Sequence, residues 1–313
     1  MTTGLRAILL MVAAMAAFAL EDMFIKLMAD SLPVGQILAL LGAGGALIFG
    51  GIALAQGARL FSADAWNRGV LWRTLGEVIG TVGFVSAITL TPISSATAIF
   101  QAMPLAVTMG AALFLGEKVG WRRWSAIIVG FAGVLIVVRP GMAGFSPLSL
   151  LAVVGVIGLA ARDIATRAVP AQISSMQLSS YAFLALVPTG AAMMAVAGEA
   201  WAMPAPQPLL WLGLAQLIGV CAYAMLVAAT RTGDMSVVAP FRYARLLFAL
   251  VIAVTVFGEP LDAPTLVGAA IIVGSGIYAF MRQASRDRQA RAASLAGRDG
   301  QARAASLAGR GRL

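Results

Sequence analysis

Ionisable residues interrupt runs of apolar sequence that would otherwise carry no charge. In "ALEDMFIKLMAD", residues 19–30, the charges are Glu21, Asp22 and Lys26. Further along stand Arg73 and Glu77, then Arg162, Asp163 and Arg167, then Arg242 and Arg245. An ionisable group in hydrocarbon costs at least about 2.5–3.5 kcal/mol, so each is a functional candidate until a partner is found. The acids Glu21, Asp22, Glu77 and Asp163 face six bases, leaving an excess of two positive charges. Spare cations in such an interior suit an anionic group on a ligand, such as a carboxylate. Snorkelling towards the interface is the alternative for some of them.

Spacing separates these charges into groups. Asp22 and Lys26, Asp163 and Arg167, and Arg73 and Glu77 are each i, i+4. On a helix that places both members on one face, where they can pair as self-neutralised ends or act as gates. Arg242 and Arg245 are i, i+3 in "APFRYARLLF" with no acid in the same run. They require Glu77 or another acid, a route to the lipid headgroups, or a substrate. An arginine fork matches a carboxylate in two-point fashion. Gln101 and Tyr243 offer polar contacts nearby, and Tyr223, Tyr181, Trp72 and Phe100 offer either an aromatic wall or plain packing. The expected substrate cavity is therefore Arg242, Arg245, Glu77, Gln101, Tyr243 and Tyr223. The expected gates are Glu21, Asp22, Lys26, Arg162, Asp163 and Arg167.

Much other chemistry is removed by composition. There is no histidine, and Cys221 is alone, so no His relay, cysteine metal cluster or intrachain disulfide is available and no cofactor is expected. A "GxxxxGK[ST]" nucleotide loop is absent. No Asp, Glu or His cluster at one membrane face marks an enzyme.

The elements that hold these charges must be membrane helices. Of 313 residues 60% are hydrophobic and 11% charged, against about 25% charged in a soluble domain. Mean hydropathy is +0.92. Ten spans long enough for about 30 Å of hydrocarbon are expected near 5–29, 33–56, 69–90, 92–116, 121–139, 147–168, 173–197, 207–230, 234–257 and 263–281. The first is read as an uncleaved helix, not a leader, because its pattern runs on through "MFIKLMA". Basic residues concentrate in alternate connections, at Arg59 and Arg68, Lys118, Arg122 and Arg123, Arg167, and Arg231. The positive-inside rule then puts both termini in the cytoplasm. The tail, 282–313, contains "QARAASLAGR" twice and reads as a disordered basic extension drawn to anionic lipid, not to nucleic acid.

The chain also repeats itself. "FALEDMFIK" at 18–26 aligns with "LAARDIATR" at 159–167, and "LFLGE" at 113–117 with "TVFGE" at 255–259. The offsets are about 141 and 142. Units 5–139 and 147–281 each hold five spans, an odd number, so the second enters the membrane inverted. Inverted repeats are the architecture of alternating-access carriers, with the substrate at mid-membrane. On the same offset, Gln101 is the counterpart of Tyr243. Glu117 and Glu259 fall at mirrored helix ends, where each is expected to belong to the turn and cap the helix that follows.

With its ten spans, two repeats and a Gly-Glu at the end of the fourth and ninth spans (Gly116–Glu117, Gly258–Glu259), the sequence resembles the EamA-type branch of the drug/metabolite transporter superfamily. Within that branch it looks most like YddG-like amino-acid exporters. Pro104 matches the fourth-helix pattern, whereas Pro240 stands in an earlier register than Pro104 does. The resemblance implies a secondary or facilitative exporter of small metabolites, amino acids above all, in a bacterial inner membrane. Its partners would be a small-molecule substrate and lipid, and the chain is expected to act as a monomer. Drugs or nucleotide-linked metabolites are the alternative cargo.

Overall fold

The computed structural model describes residues 3–60, 66–117, 119–142, 145–170, 172–232, 235–282 and 284–285. Lys118, Asp234 and the basic tail from 286 onward lie outside the described residues. Everything regular among the described residues is helical. In chain order the helices are α1 (Thr3–Met28), α2 (Val34–Ala55), α3 (Arg68–Leu90), α4 (Ile93–Phe100), α5 (Met103–Phe114), α6 (Trp121–Val138), α7 (Leu150–Thr166), α8 (Ser175–Ala197), α9 (Pro206–Thr232), α10 (Met235–Val238), α11 (Ala244–Thr255) and α12 (Ala263–Arg282). Nine helical stretches among the described residues are long and apolar enough to cross a membrane, with α4 and α5 together forming one of them.

Local chemistry sets the boundaries. Asn67 starts α3 by accepting a 2.8 Å bond from the Gly69 amide, and Ser174 with Gln177 forms a reciprocal capping box on α8. Gly198, at φ 68°, ends α8 in the left-handed region. Two spans break in the middle. Pro104 sits in the first turn of α5 and cannot donate to the carbonyl one turn back, so α4 does not run on into α5. Pro240 does the same within a 3-10 segment, Ala239–Tyr243, that joins α10 to α11. The 235–255 stretch is therefore a chain of three short helical pieces.

Three long pairings hold the bundle: α1 against α9, α2 against α8, and α3 against α7. Each pair takes one helix from either half of the chain. Exchanging the halves maps α1–α9 onto α7–α3 and leaves α2–α8 on itself. Without water as a driving force between helices, close contact depends on small residues. A Cβ on Gly35 of α2 would lie 2.6 Å from the Gly190 carbonyl of α8, and one on Gly83 of α3 would lie 2.6 Å from the Gly155 amide of α7. α6 and α12 meet likewise, at Gly133 and Gly268. One buried apolar cluster, including Ile37, Phe84, Ile88, Ile99, Leu186 and Ile272, runs through both halves. Apolar side chains such as Leu47, Ile128 and Leu247 cover the outside.

Candidate functional site

The two breaks face each other. Gln101, at the α4–α5 break, is buried and donates a 3.2 Å hydrogen bond to the Tyr243 carbonyl at the other break. These are the residues that the repeat offset pairs. A helix interruption at membrane depth frees backbone groups, which need a protein or cavity partner. Here Gln101 supplies one.

Arg245, the second residue of α11, reaches across to α1. Its Nε and Nη2 donate to the Asp22 carboxylate at 3.1, 2.8 and 2.7 Å. Three rings surround the same guanidinium: Phe18 and Phe84 with centroids at 5.3 Å and Phe100 at 5.1 Å. Phe84 and Phe100 also contact each other, centroids 4.3 Å apart. The arginine is thus neutralised by one carboxylate and walled by aromatic faces, which favour a cation.

A second network joins α3 and α7. Arg162 Nη1 lies 2.8 Å from Glu77 Oε1 and its Nε 2.9 Å from Asp163 Oδ1. Arg73 pairs with Glu77 at 3.2 Å and donates to the Leu178 carbonyl at 2.7 Å. Arg242 stands apart. It is exposed, within electrostatic reach of Arg162, Asp163 and Arg245, yet belongs to none of the ion pairs formed among the described residues. It is a guanidinium beside two charge networks with its own donors uncommitted.

Two further pairs lie at helix ends. Lys26 donates to the carbonyls of Ile88 and Thr91 at 3.0 and 2.6 Å and sits 3.5 Å from Glu259. Glu259 in turn accepts from the Ile93 and Ser94 amides at 2.7 and 3.2 Å and from the Ser94 hydroxyl at 2.8 Å. It therefore closes the N-terminus of α4, where a negative charge is favoured. Arg167 pairs with Glu117. By the repeat offset this is the same pair in the other half, but it is exposed where Lys26–Glu259 is nearly covered.

The structure corrects several pairings expected from spacing. Asp22 bonds Arg245, not Lys26. Asp163 bonds Arg162, not Arg167. Arg73 and Glu77 do pair, and Glu77 takes Arg162 as well instead of reaching Arg242 or Arg245. Glu259 caps α4, not the helix that follows it. That following helix, α12, is capped by Asp262, which accepts from the Thr265 amide at 2.9 Å. Partial burial tends to raise the Asp262 carboxyl, but bonds from Thr265 and Arg139 outweigh it and hold it below its ordinary value. Tyr243 is buried with its hydroxyl pressed on Gly276 of α12, so its side chain faces the core. Tyr223 is half-buried, edge-on to Phe49 at 5.7 Å. Glu21 lies against Gly219 of α9. An apolar groove of about 320 Å³ between α6 and α7 is lined by Phe131, Val134 and Leu150.

Sequence reasoning missed Phe18 and Phe84 as walls for Arg245, since an aromatic residue in a membrane helix carries no signal of its own. It also assigns Glu117 and Glu259 only to turn and cap positions, although their recurrence alongside the repeated bases Lys26 and Arg167 is the available clue to the pairs they form.

The sequence profile of the EamA-like transporter family matches residues 5–139 and again residues 147–281. The chain belongs to the EamA-like transporter family. Relatives within reach of this EamA protein include an S-adenosylmethionine uptake transporter of Rickettsia felis, 28% identical over 64% of this chain and 67% of the relative. A riboflavin transporter of Rhizobium johnstonii is 27% identical over 70% and 73% of the two chains. One of Vibrio cholerae is 30% identical over 64% and 66%. A solved crystal structure aligns with a TM-score of 0.56 at 21% identity, covering 85% of this chain and 97% of the other, a likeness of fold. The chain is a membrane transporter, not an enzyme. Its named relatives carry S-adenosylmethionine and riboflavin, in place of the amino acids expected from the narrower resemblance to YddG-like exporters.

Proposed function

We propose that the chain carries a small metabolite combining a flat heteroaromatic ring with a carboxylate, of the S-adenosylmethionine type. The reading has ten crossings, counting the broken 235–255 stretch, arranged as two inverted five-span units, 5–139 and 147–281, with both termini cytoplasmic. The substrate site lies between the units, where the broken spans meet.

The observation that carries this reading is Arg242. Broken helices near the centre of inverted repeats are where carriers bind substrate. Beside that junction the exposed Arg242 guanidinium has no ion pair among the described residues, while Arg245, Arg162 and Arg73 are all committed to carboxylates. Phe100, half-buried at the end of α4 and backed by Phe84, lies beside the same junction and offers a ring for stacking. A carboxylate on Arg242 with a ring towards the phenylalanines fits S-adenosylmethionine. Riboflavin, which has the ring and no carboxylate, fits only the aromatic half.

Purified protein in lipid vesicles, offered labelled S-adenosylmethionine, riboflavin and a panel of amino acids, tests the assignment. Saturable S-adenosylmethionine uptake is expected, falling at least about tenfold in Arg242→Ala, the loss of a charge-assisted bond of about 1.5–3 kcal/mol. Equal rates for Arg242→Ala and the unaltered protein exclude the site. Transport of amino acids alone restores the amino-acid reading.

A further inference from the structure

Glu21 is the one acid of the α1 cluster that the networks above leave out. Its neighbour Asp22 holds Arg245, and Lys26, more than one turn on, is turned to Glu259 and two backbone carbonyls. Glu21 is half-buried and makes no hydrogen bond or ion pair with any described residue. Its carboxyl group rests on α9 at Gly219, where a Cβ would come within 2.5 Å of Oε1. The absent side chain at Gly219 makes the room that this carboxyl group fills.

Among the described residues the cation within electrostatic reach of Glu21 is Arg245, already bonded to Asp22. α1 packs on α9, α11, the 3-10 segment, α3 and α10. From α11 comes Arg245, already held by Asp22. From the 3-10 segment comes Arg242, which faces the Arg162–Asp163 side. From α3 come Arg73 and Glu77, bonded to each other. α9 brings Gln216, whose amide donates to the Leu40 and Leu41 carbonyls, and Tyr223. α10 carries no charged residue. A carboxylate in a low-dielectric setting without a partner takes up a proton instead of staying ionised. The adjacent Asp22 carboxylate reinforces that outcome, since two neighbouring negative charges cannot share one arginine at no cost.

We propose that Glu21 is a proton-binding site of the transport cycle, protonated in the state described and discharged when Arg245 or water reaches it in the other. Asp22, Glu77 and Asp163, the other acids at membrane depth, are each paired with an arginine, Arg245, Arg73 or Arg162, and serve structure. The proposal rests on the family assignment as a transporter and not on the choice of substrate.

Infrared difference spectra of the full chain in lipid, recorded across a pH titration without substrate, test it first. The unaltered protein should show a protonated-carboxyl band that disappears as pH rises. Glu21→Gln should lack that band, and Glu21→Asp should keep one at a shifted frequency. A titrating band that persists in Glu21→Gln, or no such band in the unaltered protein, overturns the assignment. The second arm clamps the membrane potential and imposes one pH unit across vesicles, with S-adenosylmethionine and riboflavin as probes. One coupled proton sustains up to about tenfold accumulation. Glu21→Gln should flatten that dependence in either gradient direction, and accumulation by Glu21→Gln that still tracks the gradient refutes coupling through this residue. Should neither probe move in the unaltered protein, the substrate proposal fails while the infrared titration still decides the proton site.

Discussion

Arg245→Met is the most informative single change, because it separates two kinds of membrane contact. The pair it breaks is deep: 14% of the Arg245 side chain and 3% of the Asp22 side chain are exposed, so surface screening does not apply. Removing one member of a buried ion pair strands the other and costs about 3–5 kcal/mol. An ordinary interhelical hydrogen bond in a membrane contributes about 0.6 kcal/mol and at most about 1.7. Asp22→Asn should cost less than Arg245→Met, because the guanidinium keeps three ring faces within 5.3 Å, and desolvated cation–π contacts contribute about 2 kcal/mol. The double variant should lie closer to the unaltered protein than Arg245→Met does, since no charge is then left unpaired. Unfolding in mixed micelles, followed by the intrinsic tryptophan signal, measures all four corners of the cycle. Additive single effects, or a cost below about 1 kcal/mol for Arg245→Met, would show that the pair is an ordinary polar contact and refute the reasoning.

The mirrored glutamates should differ. Glu259→Ala leaves two amides of α4 without their acceptor and takes the counter-charge from Lys26, for about 2–3 kcal/mol, while Glu117→Ala breaks an exposed pair for under about 1 kcal/mol; the same unfolding assay reads both, and the reverse order would contradict the burial difference. Gly83→Ala drives a methyl group onto the α7 backbone and should cost about 1–3 kcal/mol, whereas Gly274→Ala, with nothing within 4 Å of its Cβ, should be neutral or gain up to about 1 kcal/mol of helix propensity. Asp262→Ala removes the α12 cap and should lose about 1 kcal/mol. Because the Asp262 carboxyl is held below its ordinary value, its contribution is present above the unfolded carboxylate range and is lost as pH falls through the lowered value. Melting curves between neutral and acid pH should converge for Asp262→Ala and the unaltered protein.

The spans were legible because hydropathy acts locally: 34–55, 68–90 and 175–197 need only their own residues to be read as helices. Hydropathy shows the fourth and ninth spans as whole, and the structure breaks both at points set by Pro104 and Pro240. Partner choice was the part that sequence could not supply. The i, i+4 spacing of Asp22 and Lys26 allows a pair, but 223 residues away Arg245 offers two donors and a set of rings, and the tertiary fold selects it. The repeat makes Gln101 and Tyr243 counterparts, and only the fold reveals that they touch, with the tyrosine contributing its carbonyl and hiding its ring.

The crossed pairing of α1 with α9, α2 with α8 and α3 with α7 also dictates how the protein must be born. Every extensive glycine-lined face of the first half, such as the one at Gly35 and the one at Gly83, waits for a helix that has not yet been made. At about 5–20 residues per second, the Gly83 face waits roughly 4–15 s for α7 and the Gly35 face roughly 7–28 s for α8, against lipid or a chaperone. A nascent chain cut off after 139 should therefore be a substrate for membrane proteases. Supplied in the same cell as a separate 147–281 fragment, it should be rescued.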